Sequence, residues 1–157
     1  MVGTFSLMSI EDETAIRQIV VGVSHEIDHR RWPELRALFA ETVRVDYTSL
    51  FGGEPQSLRA DDLISTWQTR LTSIEATQHL LGPIAVAVQG PRAIATCHVR
   101  AYHRLPRAPG GPEWMVAGHY IFELTNNAGW KIDRMKLETL YQTGNTRLLE
   151  EAVPLAQ

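Results

Sequence analysis

The sequence contains a single cysteine, Cys97, among its 157 residues. One cysteine permits neither an intrachain disulfide nor a zinc site built from thiolates, so we expect Cys97 to be a small buried hydrophobic residue. No stretch approaches the ~20 apolar residues that a membrane-spanning helix requires. Residues 1–8 lack the basic start and the long apolar run of a signal peptide. We therefore expect a cytoplasmic protein without a membrane partner.

Excess charge of one sign is also missing. The chain has 15 Lys and Arg against 18 Asp and Glu, for a net charge of −3 with histidine neutral. Binding to a phosphate backbone requires a basic stripe, so we expect no nucleic-acid partner. Hydrophobic residues make up 44% and charged residues 21%, as in an ordinary globular protein. The length predicts one domain spanning residues 1–157, with its core at about residues 9–141.

Several catalytic motifs are absent as well. The sequence has no glycine-rich phosphate loop and no Gly-x-Ser-x-Gly, which argues against nucleotide use and serine-hydrolase chemistry. A histidine together with Asp28 could form a His/carboxylate metal site, but no short-spaced motif such as His-Glu-x-x-His supports it. We expect neither a metal nor another cofactor.

Hydrophobic periodicity predicts three helices in the first half of the chain. Ser9 has the character of a helix cap, followed by acidic residues in the first turn. Pro33 suits the first turn of a second, short helix, and Asp61 begins a third. The buried face of the first helix is predicted to carry Ile16, Ile19, Val20, Val23 and Ile27.

The rest of the chain has the pattern of strands separated by turns. The predicted strands are residues 42–47, 77–81, 84–89, 93–105, 113–124 and 130–141. Helices followed by a run of strands indicate an α+β fold with an antiparallel sheet rather than βαβ alternation. A strongly curved sheet packed on the helices would leave a concave pocket, which is a usual place for a ligand.

Alternation along the strands sorts the histidines into faces. His103 shares a face with Cys97, Val99 and Ala101, which predicts that it points inward, whereas His98, Arg100 and Tyr102 point outward to solvent or a subunit contact. By the same reasoning, His119 is predicted to point inward, with its strand companions Met115, Ala117 and Ile121. His79 lies in another strand, between Thr77 and Leu81.

Three histidines and one acid in an apolar interior would be costly unless they pair with one another. Such pairing brings histidine pKa values towards working pH, as general acid–base catalysis requires. His79, His103, His119 and Asp28 are therefore candidate site residues. A single histidine on a half-apolar strand is often only structural, and that alternative stands beside the catalytic one.

At these residues the chain resembles the scytalone dehydratase-like branch of the nuclear transport factor 2-like superfamily, which includes SnoaL-like polyketide cyclases. The resemblance spans about residues 10–137. Its motifs are Asp28 shortly before Trp32, Arg44-Val45-Asp46-Tyr47, Thr77-Gln78-His79 followed by Gly82, His103-Arg104, and Gly129-Trp130-Lys131-Ile132.

The resemblance implies a cone made of a curved mixed β-sheet packed on three N-terminal helices. It also implies that Asp28 orients His103, that His79 lies opposite as the proton-transferring partner, and that Tyr47 donates to a substrate oxygen. Such groups remove a proton next to a carbonyl and expel a β-hydroxyl as water, without metal or cofactor. Homo-oligomerisation to a dimer or trimer is a further implication.

The sequence departs from the dehydratase pattern at positions expected to contact substrate. Ile27 replaces a second water-holding tyrosine, His119 replaces an asparagine, and Ala117 replaces a serine. With Val99, these residues are expected to line the substrate pocket. The C-terminal lid segment is reduced to residues 144–157.

The leading hypothesis is a cofactor-independent lyase, a dehydratase acting on a small cyclic or polyketide-like hydroxy-ketone. An isomerase or an aldol-type polyketide cyclase would use the same proton abstraction without losing water. A third interpretation is a non-catalytic small-molecule-binding or assembly domain, because one fold can carry unrelated functions.

Overall fold

The computed structural model describes residues 9–152. Its first element is helix α1 (Ile10–Asp28), which begins where the sequence predicted. The Ser9 side chain accepts a hydrogen bond from the Asp12 backbone N–H, and acidic residues occupy the first turn. One side of α1 is buried against the sheet, and this places its last residue, Asp28, at the edge of the protein interior.

Four shorter helices follow within residues 9–152. These are α2 (Trp32–Arg36), α3 (Thr48–Phe51), α4 (Ala60–Leu71) and α5 (Leu148–Glu151). The sequence predicted α2 and α4 but not α3 or α5. Each of the two missed helices is a single turn, which is too short to show a helical period in the sequence.

In the described part of the chain, seven strands form one mixed sheet. They are β1 (Phe39–Asp46), β2 (Gln56–Arg59), β3 (Ala76–Leu81), β4 (Ala85–Gln89), β5 (Arg92–Arg104), β6 (Glu113–Asn126) and β7 (Trp130–Gly144). Their order is β2-β1-β7-β6-β5-β3, and β4 pairs with β5 beyond the end of β3. Only β1 and β7 run parallel, so the predicted α+β fold with a mixed sheet is confirmed. The short strand β2 was not predicted.

A bulge interrupts the pairing of the two longest strands, β6 and β7. The register shifts between Ala117 and Gly118, so that Leu140 has no partner opposite it. A Cβ at Gly118 would lie 2.4 Å from the carbonyl oxygen of Glu138, and only glycine permits this approach. Bulges bend the strand that carries them and increase its twist, which helps to give the sheet a concave side.

The concave side of the sheet packs on the helices, and strand alternation determines which residues lie there. On β5 the inward set is the predicted one, including the buried Cys97 and His103. On β6 the prediction was wrong. The inward residues of that strand are Trp114, Val116, Tyr120, Phe122 and Leu124.

His119 consequently points to the convex side. It lies directly across from His98 of β5, and the two rings meet edge to face with centroids 4.4 Å apart. Ala117 lies on the same outer side, where it lines a shallow groove with Leu80 and Tyr141. Among residues 9–152, no helix combines the length and apolar character needed to cross a membrane.

Candidate active site

A cavity of about 320 Å³ lies between the concave face of the sheet and helices α1, α3 and α4. Apolar side chains form most of its wall, among them Ile27, Leu63 and Val116. Its polar side chains deep in the fold are His79, His103, Tyr47 and Tyr120, whereas Glu54 and Arg70 line it from exposed positions. A small apolar space with a few converging polar groups is typical of a site for a small organic molecule.

Asp28 and His79 form the closest polar pair of this site. Asp28 is the last residue of α1, and His79 lies in the middle of β3, which packs against that helix. The carboxylate oxygens of Asp28 accept hydrogen bonds from the backbone N–H of His79 at 2.8 Å and from its Nδ1 at 2.7 Å. Because a carboxylate accepts the bond, Nδ1 carries a proton, and in the neutral ring Nε2 keeps its lone pair.

The expectation that Asp28 orients His103 is therefore wrong. Both carboxylate oxygens of Asp28 are engaged by β3, through Thr77 and His79. β3 lies nearer to the end of α1 than the inner part of β5 does, and the His79 ring stands next to the His103 ring with centroids 6.0 Å apart. Asp28, His79 and His103 do converge in space, but with their partnerships rearranged.

A second layer of hydrogen bonds holds the Asp28 carboxylate. The Thr77 hydroxyl donates to Asp28 Oδ1 at 2.9 Å, and Arg30 Nη1 donates to the same Thr77 oxygen at 2.8 Å. Arg30 also donates to the backbone carbonyl of Ile27 at 2.7 Å. It has a backbone φ of 58°, uncommon for a residue other than glycine, and this conformation follows the end of α1. Arg30 thus supports the Asp28–His79 pair through Thr77.

These contacts determine the charge of the Asp28–His79 pair. Burial alone would raise the pKa of Asp28, but the hydrogen bonds from His79 and Thr77 and the attraction of His79 outweigh it, so the pKa is lowered. Burial lowers the pKa of the Arg30 guanidinium, and the nearby Asp28 charge opposes this. At neutral pH the site therefore holds an ionised carboxylate directly behind the His79 ring.

His103 is held in a different way. Its Nδ1 lies 3.3 Å from the backbone carbonyl oxygen of Trp114, and its ring stacks on the Trp114 indole with centroids 4.6 Å apart. Because a carbonyl can only accept, Nδ1 donates and Nε2 again keeps its lone pair. Burial, and the neighbouring His79, lower the pKa of His103 to about 4. The ring is neutral at physiological pH, so it can accept a hydrogen bond but brings no proton on Nε2.

Two tyrosines supply hydroxyl donors. Tyr47 follows β1 and caps α3, and its hydroxyl donates to the Met135 sulfur at 3.8 Å, a weak bond. Tyr120 points inward from β6 and is 5% exposed. Burial raises the pKa of both phenols, and each phenol also influences the pKa of the other. Both hydroxyls stay protonated and can donate to a bound oxygen.

The four predicted substrate-contacting residues lie in three different places. Ile27 lines the cavity. Val99 is buried on the inner face of β5 but does not form part of the cavity wall, while Ala117 and His119 lie on the outer side of the sheet. The last two predictions are therefore wrong, because the inward face of β6 was assigned to the odd-numbered residues.

Tyr120 and Trp114 were missed for the same reason. The sequence did carry a signal for them. Trp114, Val116, Tyr120, Phe122 and Leu124 form a larger and more apolar set than their alternating neighbours. Comparing total apolar size between the two faces would have favoured the observed one.

Metal ligands of the usual types do not cluster in the part of the chain that the structure describes. Within residues 9–152, no three His, Cys, Asp or Glu side chains are grouped as a metal site would require. The arrangement that the structure does contain is a carboxylate-supported imidazole, a neutral imidazole and two phenols around one apolar space. Together they can accept a proton and bind oxygen atoms.

The curved mixed sheet, the helices and the enclosed pocket define a nuclear transport factor 2-like protein. Within that superfamily the chain belongs to the SnoaL-like domain family, whose model matches residues 8–136. No protein of curated function matches the chain.

Solved structures share the architecture. The Kfla4162 protein from Kribbella flavida is 26% identical, with a TM-score of 0.83 over 89% of this chain and 97% of that one. A Novosphingobium aromaticivorans protein proposed to be a scytalone dehydratase is 25% identical, with a TM-score of 0.74 over 85% and 87% of the two chains. The hexachlorocyclohexane dehydrochlorinase LinA-type3 from Novosphingobium barchaimii shares the fold at 16% identity, with a TM-score of 0.68 over 85% and 90%.

Proposed function

We propose that this protein is a cofactor-independent lyase, a dehydratase that removes water from a small cyclic or polyketide-like hydroxy-ketone. The observation that carries the proposal is the Asp28–His79 pair. Nδ1 of His79 is held by the carboxylate at 2.7 Å, and the ring lines the cavity with Nε2 free. An imidazole held in one tautomer by an ionised acid is a competent general base.

The first step is removal of a proton from the carbon next to the substrate carbonyl. The C–H bond breaks, the proton moves to Nε2 of His79, and the electron pair moves towards the carbonyl oxygen to form an enolate. The imidazolium of His79 is stabilised by the carboxylate of Asp28 directly behind it. Tyr47, which lines the same cavity, donates a hydrogen bond to the enolate oxygen.

The second step is loss of the β-hydroxyl. The enolate electron pair forms the carbon–carbon double bond, the C–O bond breaks, and His79 returns its proton to the departing oxygen as water is released. Neutral His103 accepts a hydrogen bond from the substrate hydroxyl through Nε2 and so positions it near His79, whose ring is 6.0 Å away between centroids. The enzyme ends in its starting protonation state.

The relatives support this reaction class without fixing the substrate. At 25% identity, one solved structure is that of a protein proposed to be a scytalone dehydratase. The cavity of about 320 Å³ suits a compound of one or two rings rather than a large polyketide.

The test is turnover of a panel of β-hydroxy-ketones by the Asp28→Asn and His79→Gln variants, with product mass as the readout. We expect loss of one water in the wild type and a fall in kcat of roughly 10²–10⁴-fold in each variant, because His79→Gln removes the base and Asp28→Asn removes the carboxylate that holds it. His29→Gln is the matched control, since His29 is an exposed histidine directly after α1 that does not line the cavity. Full activity in both site variants would overturn the proposal.

An isomerase or aldol-type cyclase is the second candidate. The favouring observation is the His103 tautomer, whose proton is on Nδ1 and bound to the Trp114 carbonyl. His103 therefore cannot protonate a leaving hydroxyl from Nε2, and breaking the C–O bond depends on His79 alone. A product whose mass equals that of the substrate, lost in the same two variants, would identify this reaction. A pocket that binds hydroxy-ketones without converting them would identify a binding domain.

A further inference from the structure

Tyr120 lines the cavity from β6, which is separated in the sheet by β5 from β3, the strand that carries His79. It extends from the inner face of β6 and is 5% exposed, and its ring packs beside the Phe122 ring with centroids 5.4 Å apart. On β5 its cross-strand neighbour is the buried Cys97. The ring is therefore fixed by packing, which leaves the direction of its hydroxyl determined by the fold.

The Tyr120 side chain forms part of the cavity wall. Within residues 9–152, every fully buried side-chain nitrogen or oxygen has a hydrogen-bond partner. Tyr120 and Tyr47 both line the cavity, and the two phenols are close enough that each changes the pKa of the other. A pair of buried phenols at one cavity is suited to bind a polar atom of a ligand.

Tyr47 and Tyr120 line the cavity from different secondary-structure elements. Tyr47 follows β1, and Tyr120 lies on β6, with β7 between the two strands. Burial raises the pKa of Tyr120 well above its usual value, and the neighbouring Tyr47 phenol and the Asp28 carboxylate raise it further. Both groups are therefore neutral donors, and an oxygen bound between them would accept two hydrogen bonds.

We propose that Tyr120 is a further catalytic residue, the buried donor that, together with Tyr47, binds the substrate oxygen on which negative charge develops. The inference rests on the proposed function, because it assigns the oxygen site for the enolate that His79 generates. No proton leaves Tyr120 in this role. The electron pair released by the C–H bond resides on the bound oxygen, and the proton resides on His79.

The experiment compares wild type with Tyr120→Phe, using para-nitrophenolate and nitrobenzene as probes. The phenolate carries an anionic oxygen in place of the enolate oxygen, and its ionised form is followed by its absorbance. Nitrobenzene has nearly the same shape and lacks that oxygen. Tyr120→Phe should weaken phenolate binding by about tenfold or more, because it removes a hydrogen bond to a charged oxygen. The affinity for nitrobenzene should stay unchanged. Tyr141→Phe, on the exposed outer side, is the control that should leave both affinities unchanged.

Two outcomes would overturn the assignment. Equal phenolate binding by wild type and Tyr120→Phe would show that the hydroxyl contacts no bound oxygen. Equal weakening of both probes would show that the substitution alters packing instead. Because the probes measure binding without turnover, these results are separate from those of Asp28→Asn and His79→Gln. Failure of the dehydratase proposal would appear as inactive wild type, whatever the probes show.

Discussion

The rings of His79 and His103 meet edge to face with centroids 6.0 Å apart, and neither donates to the other. Each ring is held through Nδ1 by a separate acceptor, the Asp28 carboxylate for His79 and the Trp114 carbonyl for His103. Both histidines therefore present Nε2 as an acceptor, while the hydroxyl donors come from Tyr47 and Tyr120. The pocket therefore has hydrogen-bond acceptors on one side and donors on another, and the proposed enolate chemistry depends on this arrangement.

Thr77 should act as a positioning residue for the Asp28–His79 pair. Thr77→Val removes the 2.9 Å hydrogen bond to Asp28 and leaves the Arg30 guanidinium without that acceptor. We expect kcat to fall about tenfold with KM little changed, because the lost bond supports a charged group. Thr77→Ser keeps the hydroxyl and should restore most of the activity. If serine and valine variants are equally impaired, the methyl packing of Thr77 matters rather than its hydroxyl.

The free energy of unfolding should decrease as the pH is lowered, because His103 is buried in its neutral form. The folded protein holds its pKa at about 4, whereas the unfolded chain binds the proton near the ordinary value of 6.5. As pH falls from 6.5 towards 4, the unfolded state takes up a proton that the folded state refuses, so the free energy of unfolding decreases. At about 1.36 kcal/mol for each tenfold change in proton affinity, the loss is on the order of 3 kcal/mol.

Urea unfolding of wild type and His103→Gln at several pH values between 7 and 4.5 measures this effect. The variant should lose less stability across that range than wild type. His29→Gln, which removes an exposed histidine, should follow wild type. Parallel curves for wild type and His103→Gln would contradict the assignment.

His119 should be dispensable for turnover. Its side chain lies on the convex side of the sheet beside His98, with ring centroids 4.4 Å apart, and it does not line the cavity. His119→Ala should change kcat/KM by no more than about twofold, as surface substitutions usually do. Tyr120→Phe is the matched comparison, because its residue is next in sequence and faces inward. A large loss of kcat/KM in His119→Ala, without a loss in Tyr120→Phe, would show that His119 belongs to the site.

We propose that copies of the chain associate through the outer side of the sheet. Leu80, Tyr102, Leu140 and Tyr141 are exposed there by 51%, 38%, 59% and 46%. Clustered exposed apolar groups are typical of an interaction surface. Leu140→Asp should lower the mass measured by light scattering. Ile10→Asp places the same charge on an apolar residue of the opposite layer and should leave the mass unchanged; a monomeric wild type would contradict the proposal.

The elements of the fold that could be predicted are those that depend on local sequence patterns. The first helix, the long strands and the α+β order follow from side-chain period, caps and turns, each of which acts over a few residues. The one-turn helices α3 and α5 and the strand β2 have no such period. They form where neighbouring elements supply partners, as when β2 pairs with β1.

The candidate site divides in the same way. The sequence by itself grouped Asp28 and three histidines in an apolar interior, because buried polar groups need partners, and this holds for His79 and His103 but not for His119. Tertiary structure decided that Asp28 bonds to His79 rather than His103, since β3 packs on the end of α1. It also decided that Tyr120 and not His119 enters the cavity. The side of β6 that faces inward depends on how the whole sheet lies against the helices, and a change of one residue reverses it.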